Sequence, residues 1–236
     1  MRLIQVRDLS ISYDGKPVVS GLNFDVNQGD FLCIFGENGS GKSSLIKAIL
    51  GLKSTASGHI HFEKGFTFRD IGYMPQKTQV QRDFPASVGE VVISGCQGSM
   101  GLRPFYGKEE KRKADAAMER LGILDIKKES YRNLSGGQQQ RVLLARGLCG
   151  ADKMILLDEP TTALDPLATG EFYRLISGLN RDEGITVVMV SHDISGALKY
   201  SNSVLHLGGS EVMFCGTTSD YVKTKIAASF MGGEAL

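Results

Sequence analysis

The chain has 236 residues, of which 42% are hydrophobic and 22% charged, with a net charge of +1. That length is enough for a substantial core, and so balanced a charge creates no global field for a nucleic acid. Four cysteines without a C-x-x-C pair (Cys33, Cys96, Cys149 and Cys215) argue for a reducing compartment, with Cys33 and Cys149 read as small core residues.

The start, Met1-Arg2-Leu3-Ile4, carries no signal-peptide pattern. No apolar run approaches the ~20 residues that span a bilayer, so a membrane role has to pass through a partner. Residues 2–35 alternate as strands do. Leu9, Ile11 and Tyr13 share one face, and Leu22, Phe24 and Val26 share another. Turns are expected at Asp14-Gly15 and Gln28-Gly29-Asp30.

The apolar run Phe31–Phe35 leads into Gly36-Glu37-Asn38-Gly39-Ser40-Gly41-Lys42-Ser43, a complete G-x-x-x-x-G-K-[ST], and Ser44–Leu50 continues as a helix. Strand, glycine turn and helix form the context this phosphate-binding motif requires. The glycines let backbone N–H groups reach phosphate oxygens, and the helix points its positive end at the same anion. Lys42 adds a charge for the β- and γ-phosphates. Ser43 offers a hydroxyl to Mg²⁺, which prefers octahedral oxygen ligands shared with a nucleotide.

A further strand is expected over His59–Phe62, so an antiparallel β layer takes about 1–30 and 55–70. Character changes at 77–133. Gly95–Gly107 is rich in Gly and Ser and reads as loop. Lys108–Leu121 places Ala114, Ala117, Met118 and Leu121 on one face of a helix, stopped by Gly122. A helical subdomain over about 77–150 is therefore expected, inserted into a phosphate-binding core, all within a single domain, 1–236.

Leu134-Ser135-Gly136-Gly137-Gln138-Gln139-Gln140-Arg141 lies just before a helix expected over 141–148 and reads as its N-terminus, where Ser135 to Gln138 matches a capping box. The box does not explain two consecutive glycines, which weaken a first turn. Bare backbone at a positive helix end makes a second anion site. One nucleotide hardly needs two such sites from one chain, whereas a dimer exchanging them does.

Met154–Leu157 suits a strand buried on both faces of a parallel sheet. It ends in Asp158-Glu159-Pro160, at the strand end where open α/β sheets bind ligands. Asp158 can hold Mg²⁺ through water, and Glu159 can orient or deprotonate an attacking water. Thr186–Val190 is another buried strand. Val204–Leu207 and Glu211–Cys215 flank Gly208-Gly209-Ser210 as a hairpin. His59 and His61 share a strand face and offer too few ligands for a zinc site.

With LSGGQ at 134–138 behind the phosphate loop, the chain resembles the ATP-binding subunits of ABC transporters over roughly Leu3 to Gly216. The resemblance implies an α/β fold: a P-loop core with a mainly parallel sheet, an antiparallel β subdomain and an inserted α-helical subdomain. It implies ATP and Mg²⁺ as cofactors, a homodimer in the ATP-bound state and phosphoryl transfer to water. Tyr13 matches the ring stacked on adenine. Gly36, Asn38, Gly39, Ser40, Gly41, Lys42, Ser43 and Ser44 match the nucleotide cradle. Ser135, Gly136, Gly137 and Gln138 match the signature that closes over the partner's nucleotide. Asp165, in Ala163-Leu164-Asp165, matches a loop crossing the dimer interface. Gln76 matches the glutamine that senses Mg²⁺ or water, and His192 the histidine that touches the γ-phosphate. Gln76, Glu159 and His192 are thus the expected catalytic set, and Ser43, Gln76 and Asp158 the expected metal set. Gln139 and Gln140 extend the signature and Ser191 replaces a common threonine, both minor departures.

The stretch Phe84-Pro85-Ala86-Ser87-Val88, continuing to Gly95, and Glu171-Phe172-Tyr173 are similar to ATPases of zinc and manganese importers. That likeness implies transmembrane permease subunits, an extracytoplasmic metal-binding protein acting indirectly, and a place at the cytoplasmic face of the membrane. Zinc is favoured over manganese or iron. Phe84–Gly95 is expected to floor a groove for a permease helix, with Phe84 and Val88 as anchors. The alternative is a soluble ATPase of iron–sulfur cluster assembly. Relatives acting on ribosomes or DNA carry two cassettes or a long coiled coil, and this chain has neither, which fits the expectation of no nucleic-acid partner.

Overall fold

In the computed structural model, residues 1–13, 16–76, 85–101, 103–151, 153–209 and 211–230 are described, with the side chains of Tyr13, Lys16 and Ser99 excepted. Two sheets organise them. Strands β1 (Arg2–Tyr13), β2 (Lys16–Asn27) and β4 (Ser57–Phe62) form a three-stranded antiparallel sheet in the order β2-β1-β4. Strands β3 (Phe31–Gly36), β5 (Ile71–Met74), β6 (Met154–Asp158), β7 (Thr186–Val190), β8 (Ser203–Gly208) and β9 (Glu211–Thr217) form a six-stranded sheet, order β5-β6-β7-β3-β8-β9. All its pairings are parallel except β8 with β9.

The central strands are buried on both faces, which is why they read as continuous apolar runs. Their residues alternate between two cores. Leu32, Ile34, Leu156, Val188 and Val190 face the antiparallel sheet. They enclose helix α1 (Lys42–Ile49) through Leu45, Ile46 and Ile49, together with Leu9, Ile11, Leu22, Phe24 and Val26. Phe31, Cys33, Phe35, Ile155, Leu157, Val187 and Met189 face the other way, into a helical layer.

That layer holds α2 (Val88–Ile93), α3 (Lys108–Arg120), α4 (Gly136–Gly150) and α5 (Pro166–Arg181). The expected face of α3 is buried, through Ala114, Ala117 and Met118. Short helices α6 (Ile194–Leu198), α7 (Thr218–Tyr221) and α8 (Lys225–Phe230) complete the described chain. The fold class is the one expected: a mainly parallel core sheet, an antiparallel sheet on one side and helices on the other.

Three local readings change. The strand expected over His59–Phe62 begins at Ser57. The stretch read as loop from Gly95 opens with a 3-10 turn, Ser94–Ser99, because its backbone packs against the end of α4. The signature helix starts at Gly136, not Arg141, since Ser135 caps it: its hydroxyl accepts from the Gln138 N–H at 3.3 Å and the Gln138 side chain accepts from the Ser135 N–H at 3.0 Å. The turn at Gly29 is present, with φ 81. Asp14-Gly15 lies outside the described residues, as does Phe84.

Candidate functional site

The loop between β3 and α1 is shaped around Lys42. Its side chain is 5% exposed, and its ammonium donates to the carbonyls of Gly36 and Glu37, both at 2.7 Å. Burial lowers the pKa of Lys42, while Glu159 and Asp158 oppose that shift, so all three lie in one electrostatic neighbourhood. Gly41 caps α1 at φ 92 with no side-chain cap, which leaves the first-turn N–H groups uncapped by the chain. A Cβ at Gly41 would stand 2.2 Å from the Val19 methyl, so no other residue fits there. Asn38, Gly39 and Ser43 are exposed and Ser44 is half-buried. Ser40 is buried, and its hydroxyl has no hydrogen-bond partner.

Asp158 ends β6 beside this loop and is 5% exposed. Burial, then the neighbouring Glu159 carboxylate, raises its pKa. The Tyr73 hydroxyl lies beside Asp158, and burial with this carboxylate pushes Tyr73 up to about 12. Asp158 Oδ1 is buried without a partner. An orphaned anionic oxygen facing a phosphate loop fits water-mediated Mg²⁺ binding, together with the exposed Ser43 hydroxyl.

Glu159 begins the turn after β6 with φ 49, a left-handed conformation that non-glycine residues seldom adopt. Its N–H donates to the carbonyl of Val190, the last residue of β7, at 3.1 Å. Two side chains then grip its carboxylate. Gln76 Nε2 donates to Oε2 at 2.7 Å, and His192 Nε2 meets Oε1 at 2.7 Å. Thr162 Oγ1 lies 3.4 Å from Oε2. The structure thus gathers Gln76, Glu159 and His192 from the ends of β5, β6 and β7. Tyr13 ends β1, but its ring lies outside the described side chains. Sequence reasoning missed Tyr73 and Thr162. Tyr73 sits opposite Leu156 in the β5–β6 register, a neighbourhood that only sheet pairing creates.

Ser135, Gly136, Gly137 and Gln138 occupy a different place. With Ala163, Leu164 and Asp165 they line a cavity of about 620 Å³ to which no residue of 36–44 contributes. Added Cβ atoms at Gly136 and Gly137 would find neighbours no closer than 3.6 Å. Packing within the chain therefore does not require these glycines. Asp165 caps α5, accepting from the Ala168 N–H at 2.9 Å. A second cavity, of about 1120 Å³, opens between the 94–99 turn, α3 and the end of α4; Arg69, Tyr73, Gln97, Lys113 and Arg146 line it. Among the described residues of the expected groove segment, Ser94 and Gly95 alone reach it. Val88 is fully buried in the helical-layer core and is not an exposed anchor.

The fold and site define a P-loop nucleotide-hydrolysing protein. A family profile described as ABC transporter matches residues 19–162. The zinc uptake system ATP-binding protein ZurA of Listeria innocua is 36% identical, over 93% of this chain and 88% of its own length. The manganese transport system ATP-binding protein MntB of Bacillus subtilis is 35% identical, over 97% of this chain and 92% of its own. The dimeric post-hydrolysis structure of the ATP-binding cassette MJ0796, bound to ADP and Pi, matches with a TM-score of 0.75 at 26% identity, covering 92% of this chain and 99% of that one. The chain belongs to the ABC transporter family, as an ATP-binding cassette and an ATPase.

Proposed function

We propose that the chain is the ATP-hydrolysing subunit of a divalent-metal importer, with zinc favoured over manganese or iron. It works as a homodimer beneath permease subunits at the cytoplasmic face of the membrane, and an extracytoplasmic binding protein supplies the metal. The observation that carries the catalytic half is the Glu159 carboxylate, gripped by Gln76 and His192 in the same electrostatic neighbourhood as Lys42. ZurA and MntB, both metal-transport subunits by name, support the import half and weigh against the iron–sulfur assembly alternative.

Lys42 and the first-turn N–H groups of α1 bind the β- and γ-phosphates of ATP. Glu159 takes or orients the proton of the attacking water, and His192 and Gln76 fix where that carboxylate points. Asp158 and Ser43 would hold Mg²⁺, which neutralises phosphate charge when bound. Catalysis is then chiefly positioning and electrostatic stabilisation. The open glycines at 136–137 accept the γ-phosphate of the nucleotide held by the partner copy. Hydrolysis removes the group that both copies touch, and the dimer loosens. Growth of a deletion strain under metal chelation tests the reading. A defect restored best by zinc, and less by manganese, is expected. Normal growth under every metal limitation, with iron–sulfur enzymes inactive, would replace the importer with the assembly ATPase.

A further inference from the structure

Two of the cysteines lie together although 53 residues separate them along the chain: Cys96 Sγ and Cys149 Sγ are 2.9 Å apart, and both residues are buried. Cys96 stands in the 94–99 turn, and Cys149 in the last turn of α4. Their approach is built by the backbone. A Cβ on Gly95 would fall 1.9 Å from the carbonyl oxygen of Arg146, and one on Gly150 would fall 2.5 Å from the carbonyl oxygen of Gly95. Each cysteine is thus next to a glycine that lets the two segments touch. The Cys96 thiol also lies 3.3 Å from the Cys149 carbonyl oxygen. The other two cysteines form no disulfide, Cys33 being buried and Cys215 exposed.

We propose that Cys96 and Cys149 are a redox-modified dithiol that closes to a disulfide under a hydroperoxide. The two sulfurs need to draw together by less than 1 Å to reach the ~2.05 Å of a disulfide bond. Soft-cation binding by this pair alone is a poorer fit, because two thiolates sharing one ion stand on opposite sides of it, about two metal–sulfur bonds of ~2.3 Å apart. In the reaction one thiolate attacks a peroxide oxygen, the O–O bond breaks and water leaves after protonation. The resulting sulfenic sulfur is attacked by the second thiolate and expels a second water. Two thiols and one hydrogen peroxide give one disulfide and two waters, with sulfur oxidised and peroxide oxygen reduced.

Access comes from the groove between the 94–99 turn and α4, which Cys149 lines. Burial, with Cys96 alongside, pushes the Cys149 thiol well up from its ordinary value, which keeps its thiolate scarce and makes the closure slow, so it needs sustained peroxide. Once formed, the disulfide staples one wall of the groove to the other and closes a long loop in the unfolded chain.

The test uses the full chain with Cys215→Ser, treated with hydrogen peroxide, denatured under acid and alkylated. The expected product carries two fewer alkyl groups than the reduced chain treated in the same way and yields a linked peptide holding Cys96 and Cys149, reversed by dithiothreitol. Its Tm should rise by about 5–10 °C. The single variants Cys96→Ser and Cys149→Ser should each lose the linked peptide and the Tm rise. Recovery of both thiols fully alkylated after peroxide treatment, or of sulfinic acids without a linked peptide, would overturn the proposal.

Discussion

At the scale of single residues, the site combines a strained base with a costly carboxylate. Glu159 is held at positive φ and by two side chains. Glu159→Gln keeps the shape of the grip and loses the base, so ATP binding should persist while hydrolysis falls ~10²-fold or more. The variant should also accumulate as an ATP-bound dimer on size exclusion, and turnover at the parent rate would remove Glu159 from the base role. Asp158 is a case where stability and function pull apart. Its folded-state pKa is raised by burial, so its contribution favours the folded state below the ordinary carboxylate range and is lost as pH rises through the raised value. Asp158→Asn removes that penalty. Its Tm should exceed the parent's by about 2–4 °C at pH 8 and match it near pH 4, while Mg²⁺-dependent ATPase drops ~10²-fold or more. A variant less stable than the parent at pH 8 would show that the carboxylate is a net structural tie, through Tyr73.

At the scale of elements, the helix caps decide what the sequence could disclose. The phosphate loop and the signature were legible because each is a contiguous motif whose spacing carries its own physics. The central strands were legible because burial on both faces leaves no polar position in Ile155–Leu157 or Val187–Val190. What required tertiary contact was not legible. The 94–99 turn depends on Gly95 meeting the Arg146 carbonyl, and Val88 disappears into the core because α2 packs on α3 and α4. The grip on Glu159 joins three strand ends, and only the family resemblance suggested it. Ser135→Ala should cost about 1 kcal/mol of stability through the lost cap, yet reduce ATPase far more than that loss explains, because the same N–H groups serve the partner's nucleotide. An ATPase change no greater than the stability change would make the cap merely structural. The exchange itself is testable by crosslinking. Ser40 is buried, so the exposed Asn38 is the better position on the loop. In a Cys215→Ser background, Asn38→Cys with Gly137→Cys should link two chains only with ATP, whereas ATP-dependent linkage within one chain would exclude the composite site.

At the scale of the whole molecule, the larger groove lies where the core strand β5 meets the 94–99 turn, α3 and the end of α4, and on the proposed importer reading it is the seat for a permease segment. Its rim is basic through Arg69, Lys113 and Arg146, and Arg146 is anchored by its Nε donating to Ser94 Oγ at 3.0 Å. Among the described residues that line this cavity, Asp70 is the single acidic one. A permease segment carrying carboxylates complements such a rim, and complementarity of this kind sets orientation and encounter more than raw affinity. None of these residues touches the phosphate loop or the grip on Glu159 in the contacts described above. Reversing charge at Lys113 and Arg69 together should therefore leave basal ATPase of the isolated chain within about twofold. Metal-dependent growth of a strain carrying that double variant should fail under chelation, while the charge-conserving Lys113→Arg, Arg69→Lys pair should grow as the parent does. Equal growth of the reversed and conserved pairs, at equal protein levels, would move the docking surface elsewhere on the molecule. Loss of basal ATPase in the reversed pair would instead tie the rim to the catalytic core.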